Sequence, residues 1–105
     1  MLNLDDAFAS FDQVWLPHIV AKINDYDVRI ARADGDHTWH VHDDTDEFFL
    51  VLEGELLLDI EEGETVALRP HQGFTVPRGV VHRTRAPRRT SILMVEREGV
   101  APTGD

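Results

Sequence analysis

The chain has 105 residues, 42% hydrophobic and 29% charged, the balance of one globular unit able to bury about two-thirds of its unfolded surface. Twenty acidic side chains against 10 basic ones leave a formal charge of -10, which argues against nucleic acid as a partner. The absence of cysteine excludes disulfides and thiolate metal sites, and no apolar run approaches the ~18 residues of a membrane span.

The opening "MLNLDDAFASFDQVW" is acidic and interrupted by polar residues. It is unlike a secretory leader and implies a cytoplasmic protein. Within it Ala7, Phe8, Phe11, Val14 and Trp15 recur at three- and four-residue spacing, which predicts the apolar face of a short helix ended by Pro17. Residues 1–25 are too short for a core of their own and are expected to pack on the outside of a barrel formed by the rest of the chain.

From Tyr26 onward turn residues recur about every 8–12 positions, the rhythm of an all-β sandwich or barrel. A strand is predicted over residues 26–33, with Asp34, Gly35 and Asp36 turning it. "HTWHVH" reads as a second strand, "DDTD" as a loop and "EFFLVLEG" as a third strand, turned at Glu53 and Gly54 into "ELLLDI". "EEGE" reads as a hairpin turn in which Gly63 supplies the positive φ. Next come "TVALR", the loop "PHQG", a short "FTV", the turn "PRG", "VVHRTR", the turn "APRR" and "TSILMVE". About eight short strands with hairpin-length links predict an all-β fold, closed or two-sheeted. The expected organisation is a single domain over residues 1–105, with the barrel over 26–96 and an irregular tail over 97–105.

The histidines are where chemistry is concentrated. On a strand, His40 and His42 would share a face about 7 Å apart, with His37, Trp39 and Val41 on the other. Such a pair can reach a metal ion, but two surface histidines on a strand are common and the pair alone is weak evidence for one. Glu47, restarting a strand after a short loop, would fold back beside them, with Phe49 and Val51 on its own face. His82 lies in "GVVHRTR". Three imidazoles and a carboxylate would make a ligand set suited to iron(II), manganese, zinc, nickel or copper. His71 is expected to be exposed, His18 to pack locally and His37 to face away from the metal. Tyr26, Thr38, Thr84 and Glu96 are the polar side chains with a path inward. Arg78, Arg83, Arg85, Arg88 and Arg89 read either as a solvated balance to the acidic loops or as a cationic rim attracting an anionic small molecule.

The spacing of these residues resembles the cupin family. His40, His42, Glu47 and Gly54 fit its first motif, and Pro77, Gly79 and His82 fit its second. The chain looks like a small single-domain cupin of the mannose-6-phosphate isomerase-like kind. The resemblance implies a double-stranded β-helix, or jelly roll, holding one divalent transition metal (Fe, Mn, Zn or Ni) through His40, His42, Glu47 and His82. It departs from the usual pattern at three places: Asp34 and His71 stand where glycine is usual, and Ala86 where asparagine is frequent. All three are expected at turns or strand ends.

"FFLVL" is apolar on both faces, so Phe48, Leu50 and Leu52 are expected to meet a covering layer: a second sheet, the N-terminal helix or another copy of the chain. Because small cupins commonly dimerise through such surfaces, a homodimer is expected, with a small-molecule ligand or substrate as the other partner and no membrane. Two functions are carried forward: a metalloenzyme acting on a small polar or anionic metabolite, by isomerase or dioxygenase chemistry, and a non-catalytic small-molecule binding or structural module.

Overall fold

Period-two alternation dominates the computed structural model, which describes residues 1–101. A short helix, α1 (Leu4–Ala9), precedes seven strands: β1 (His18–Ile23), β2 (Tyr26–Asp36), β3 (Glu47–Glu53), β4 (Leu56–Ile60), β5 (Thr65–Leu68), β6 (Gly73–Val76) and β7 (His82–Arg97). They form one branched antiparallel sheet in the order β1-β2-β7-β3-β6, with β4 joining β7 to β5. The expected all-β jelly roll is the fold. Residues 102–105 of the predicted irregular tail lie outside the described residues.

Strand β7 is the spine. Its 16 residues keep one parity throughout, so His82, Thr84, Ala86, Thr90, Ile92, Met94 and Glu96 are all buried, as a pleated strand dictates. Its first residues pair with β4, its later ones with β3, and β2 runs beside most of its length. Phe49, Val51, Leu56, Leu58, Ile92 and Met94 lead the core they enclose. On the outer face of β3, Phe48, Leu50 and Leu52 are half-buried.

Several expectations are corrected. Asp34 to Asp36 and the "APRR" segment do not reverse the chain: they lie in β2 and β7, with Gly35 opposite Ala86 and Asp36 opposite Arg85. A register shift between Ala33 and Gly35, with Gly35 at φ 77°, makes this a bulge, and the turn-forming residues bend two paired strands together. In the hairpin after β4 the positive φ belongs to Glu62 (57°), not to Gly63. A Cβ on Gly63 would lie 3.2 Å from Ile60 Cγ2, so that glycine answers to space.

The helix is also shorter than its apolar spacing suggests. Asn3 caps its start, its side chain accepting from the Asp6 N–H at 3.0 Å, and it ends at Ala9, leaving Phe11, Val14 and Trp15 beyond it. Arg32 fastens this segment to the outside of the barrel. Its guanidinium lies 5.2 and 5.5 Å from the ring centres of Phe8 and Phe11 and donates to both of their carbonyls. Strand β1 is not anticipated by the sequence, because "HIVAKI" lacks alternation: its Ile19 and Ile23 face solvent on the sheet edge.

Asp59 anchors the outer end of β4. It accepts from Thr65 Oγ1 at 2.6 Å, Arg85 Nε at 2.7 Å and Arg83 Nε at 3.0 Å. The Arg85 hydrogen bond, with Thr65 and Arg83, outweighs burial and holds its carboxyl well below the usual range. A depressed pKa stabilises the fold above the ordinary aspartate value of 3.8 and loses that stabilisation as pH falls towards the folded-state value. Asp59→Asn is therefore expected to destabilise the fold by about 1 kcal/mol at neutral pH and to flatten the fall of Tm below about pH 4, read by thermal melts across pH. Gly54 sits at φ 95°, where an added Cβ would strike the Thr90 hydroxyl and lie 2.9 Å from Thr90 Cα. Gly54→Ala is expected to cost about 2–3 kcal/mol, seen as a lowered Tm.

Candidate metal centre

The segment between β2 and β3 carries His40 and His42, and it is not the strand that "HTWHVH" predicts. It pairs with β7 through an isolated bridge, in which His40 N–H donates to His82 O and His82 N–H to His40 O, both at 2.9 Å, and His37 N–H donates to Thr84 O at 2.9 Å. Past His42 the exposed Asp43 and Asp44 lead the chain out to solvent. The turn before β7 then clamps this segment from the side. Gly79 N–H donates to His42 O at 2.8 Å, and Arg78 N–H to Asp46 Oδ1 at 2.9 Å. The two motif stretches are thus joined by backbone hydrogen bonds.

The four predicted residues come together. His40, His42, Glu47 and His82 are all buried, and one donor atom from each lies within 4.8 Å of all the others. His40 Nδ1 is 2.8 Å from Thr38 O, and His82 Nδ1 is 2.9 Å from Val80 O. Protons placed on those nitrogens turn both Nε2 atoms towards the cluster, the outer support that metal-binding imidazoles use. His82 Nε2 and His42 Nε2 lie 3.3 and 3.4 Å from Glu47 Oε1.

Protonation favours the same role. Burial holds His40 below the usual histidine range, against the hydrogen bond to Thr38 O, which favours the neutral ring a metal ion needs. Burial alone would raise Glu47, but hydrogen bonds from His42, His82 and Glu96 together hold its carboxyl below the usual range. Donors ~2.1 Å from one ion are at most ~4.2 Å apart. A small adjustment of these side chains therefore suffices to hold a divalent ion, and the nitrogen and oxygen donors fit one.

A cavity opens beside the cluster, lined by His40, Glu47, Phe49, Thr84, Met94 and Glu96 on its inner side and by Trp15 and His37 on its outer side. The space open to the centres of water-sized molecules is about 30 Å³, room for about two waters. Of the four polar residues given a path inward, Thr84 and Glu96 line the cavity, whereas Tyr26 and Thr38 are exposed. Burial, and then the charge of Glu47, push the Glu96 carboxyl well above its usual range, with Arg29 only partly offsetting them.

One further expectation fails, and of the two readings of the arginines the cationic rim falls. His37 does not face away: with no strand there, alternation does not apply, and its ring stacks on Trp15 at 4.8 Å and 15° over the cavity. Trp15 itself carries no mark of a site residue in the sequence. Nor do the arginines form a rim to this cavity. Arg83 and Arg85 are held by Asp59, Arg88 faces Glu55 at 3.6 Å, and Arg89 donates to Asp12 O. Arg78 lies on the outer face near Arg97. His71 is exposed as expected, and His18 packs on Phe11 at 3.9 Å between ring centres.

A family model described as Cupin domain (Cupin_2) matches residues 26–96. Protein YdbB of Bacillus subtilis (strain 168) is 47% identical over 77 residues, 73% of this chain and 68% of that protein. A cupin-2 domain containing protein from Shewanella frigidimarina NCIMB 400 superposes with a TM-score of 0.89 at 33% identity, covering 92% of this chain and 94% of that one. Hydroquinone 1,2-dioxygenase from Sphingomonas sp. TTNP3, solved with 4-hydroxybenzoate bound, shares the fold with a TM-score of 0.79 at 18% identity, over 92% of this chain and 72% of that one.

Three buried imidazoles around a buried carboxylate should make the fold respond to metal. Manganese or zinc at about 100 times Kd is expected to stabilise it by about 2.7 kcal/mol, visible as a raised Tm that a chelator reverses. His82→Ala is expected to abolish that rise.

Proposed function

The chain belongs to the cupin family, and we propose that it is a metalloprotein in which His40, His42, Glu47 and His82 hold one divalent ion at the floor of a small-molecule cavity. The observation that carries this reading is the burial of all four residues with one donor atom from each inside a common 4.8 Å envelope. Iron, manganese, zinc and nickel all suit such a set. Bound there, the ion supplies Lewis-acid polarisation to an oxygen or nitrogen of the ligand.

An enzyme is the better reading than a passive binding module. Glu96 is almost wholly buried and lines the cavity although the ligand set does not need it. Burying a carboxyl is costly unless its surroundings compensate, and Arg29, 3.6 Å from Glu96 Oε1, offsets that cost only in part. Glu96 is placed to hold or release a proton at its carboxyl oxygens. Among the described residues neither Lys nor Arg lines the cavity, so the positive charge that would draw a polar or anionic ligand there is the bound ion's own.

The test is elemental analysis of the purified protein and its variants after reconstitution with each metal. About one equivalent is expected in the wild type and in Glu96→Gln. His40→Ala, His42→Ala, Glu47→Ala and His82→Ala are each expected to lose at least about tenfold in metal affinity. Stoichiometric metal persisting in all four would sink the proposal.

A further inference from the structure

Trp15 adopts φ 58°, the left-handed region that a bulky aromatic residue rarely occupies. Three contacts keep it there. Its backbone N–H donates to Arg32 O at 2.8 Å, its Nε1–H donates to Asp34 O at 2.9 Å, and its ring stacks on His37. Two of these contacts come from the backbone of β2 and none from the four donor residues. An unfavourable backbone geometry fixed from several sides is a feature to be explained by what the side chain does.

Its position supplies the explanation. Trp15 and Pro17, in the segment between α1 and β1, meet His37 on the outer side of the cavity, opposite Phe49, Ile92 and Met94. The helix is fastened to Arg32, and Arg32 O also receives the Trp15 N–H. The N-terminal segment thus delivers one large ring to the cavity and fixes its depth. With Trp15 in place the space open to the centres of water-sized molecules is about 30 Å³.

We propose that Trp15, stacked on His37 at the cavity's outer side, is the specificity-determining residue of this site and restricts it to ligands of a few heavy atoms. This inference rests on the metal site proposed above. Trp15→Ala removes an indole from the wall while leaving the four donors and Glu96 untouched. His37→Ala opens the same wall from its other side, and keeps the test in hand if Trp15→Ala does not fold.

The experiment uses the cobalt(II)-loaded protein, its visible absorption band and two uncharged probes that share one donor nitrogen, imidazole and 4-phenylimidazole. Imidazole is expected to bind the wild type at least about tenfold more tightly than 4-phenylimidazole. Trp15→Ala and His37→Ala are each expected to bind 4-phenylimidazole at least about tenfold more tightly than the wild type does, with imidazole affinity within about threefold. Equal affinity of the wild type for both probes, or an unchanged preference in the variants with cobalt bound, would overturn the inference alone. Failure of the wild type to take up cobalt would overturn the metal site and this inference with it.

Discussion

The reciprocal backbone pair between His40 and His82 is the constraint on which the site depends. Two N–H···O bonds of 2.9 Å join an irregular segment to the first residue of β7. That pairing sets the two imidazoles 4.4 Å apart, centre to centre. It also explains how one motif half can lie outside any strand and still be held in place. His42, two residues on, is fixed in turn by the Gly79 N–H on its carbonyl, and Glu47 enters from β3, whose first residue pairs with Val76. Each donor is thereby located by its own backbone. The side chains need only choose a rotamer, and the Thr38 and Val80 carbonyls choose it for two of the three histidines.

Continuity of β7 supplies the rest of the cavity. Thr84 and Glu96 line the same space, yet a straight strand would set residues twelve apart about 40 Å from one another. The strand must therefore roll. Sheet twist gives part of the curvature, and the bulge at Gly35 gives a local bend where β2 accompanies it. Pro87, which has no N–H to donate, falls in the exposed stretch close to that bend. Because burial keeps one parity from His82 to Glu96, the bend does not exchange inner and outer faces. One strand contributes a donor, a threonine, two wall residues and a buried carboxyl.

The sequence reveals the donors more readily than the geometry that assembles them. The resemblance to the cupin motifs picks out His40, His42, Glu47 and His82, because a motif records which residues meet and not the path between them. Strand alternation reaches His40 and His42 by a route the chain does not take, and the same alternation turns His37 the wrong way. Turn-forming residues report a change of direction without saying whether the chain reverses or bends beside a partner, so "DGD" and "APRR" read as ends of strands that in fact continue. His71 is instructive at one of the glycine departures: it takes φ 71°, the glycine-like conformation, without being glycine. Trp15 leaves no trace, because its apolar spacing matches a helix that stops at Ala9 and its role arises only where distant segments meet.

Charge placement then sorts the interior from the surface. Four of the five arginines in the basic stretch bind carboxylates or a carbonyl outside the cavity. The buried cation nearest the site is Arg29, and its contacts are already divided. It donates to Asp27 Oδ2 at 3.0 Å and Val100 O at 2.9 Å, while Glu96 Oε1 stands farther off at 3.6 Å. Asp27 in turn takes Lys22 at 2.7 Å, and Lys22 reaches Glu98 at 3.0 Å, so charges alternate from the interior out to solvent. Arg29 therefore cannot fully neutralise Glu96, which faces Glu47 at close quarters. Two neighbouring carboxylates resist ionising together. Two histidines draw Glu47 towards its charged form, while burial and the charge of Glu47 push the Glu96 carboxyl the other way. The inner wall thus sets two carboxyl groups with opposite tendencies beside the donors, the charged one within the ligand set and the other on the far end of β7.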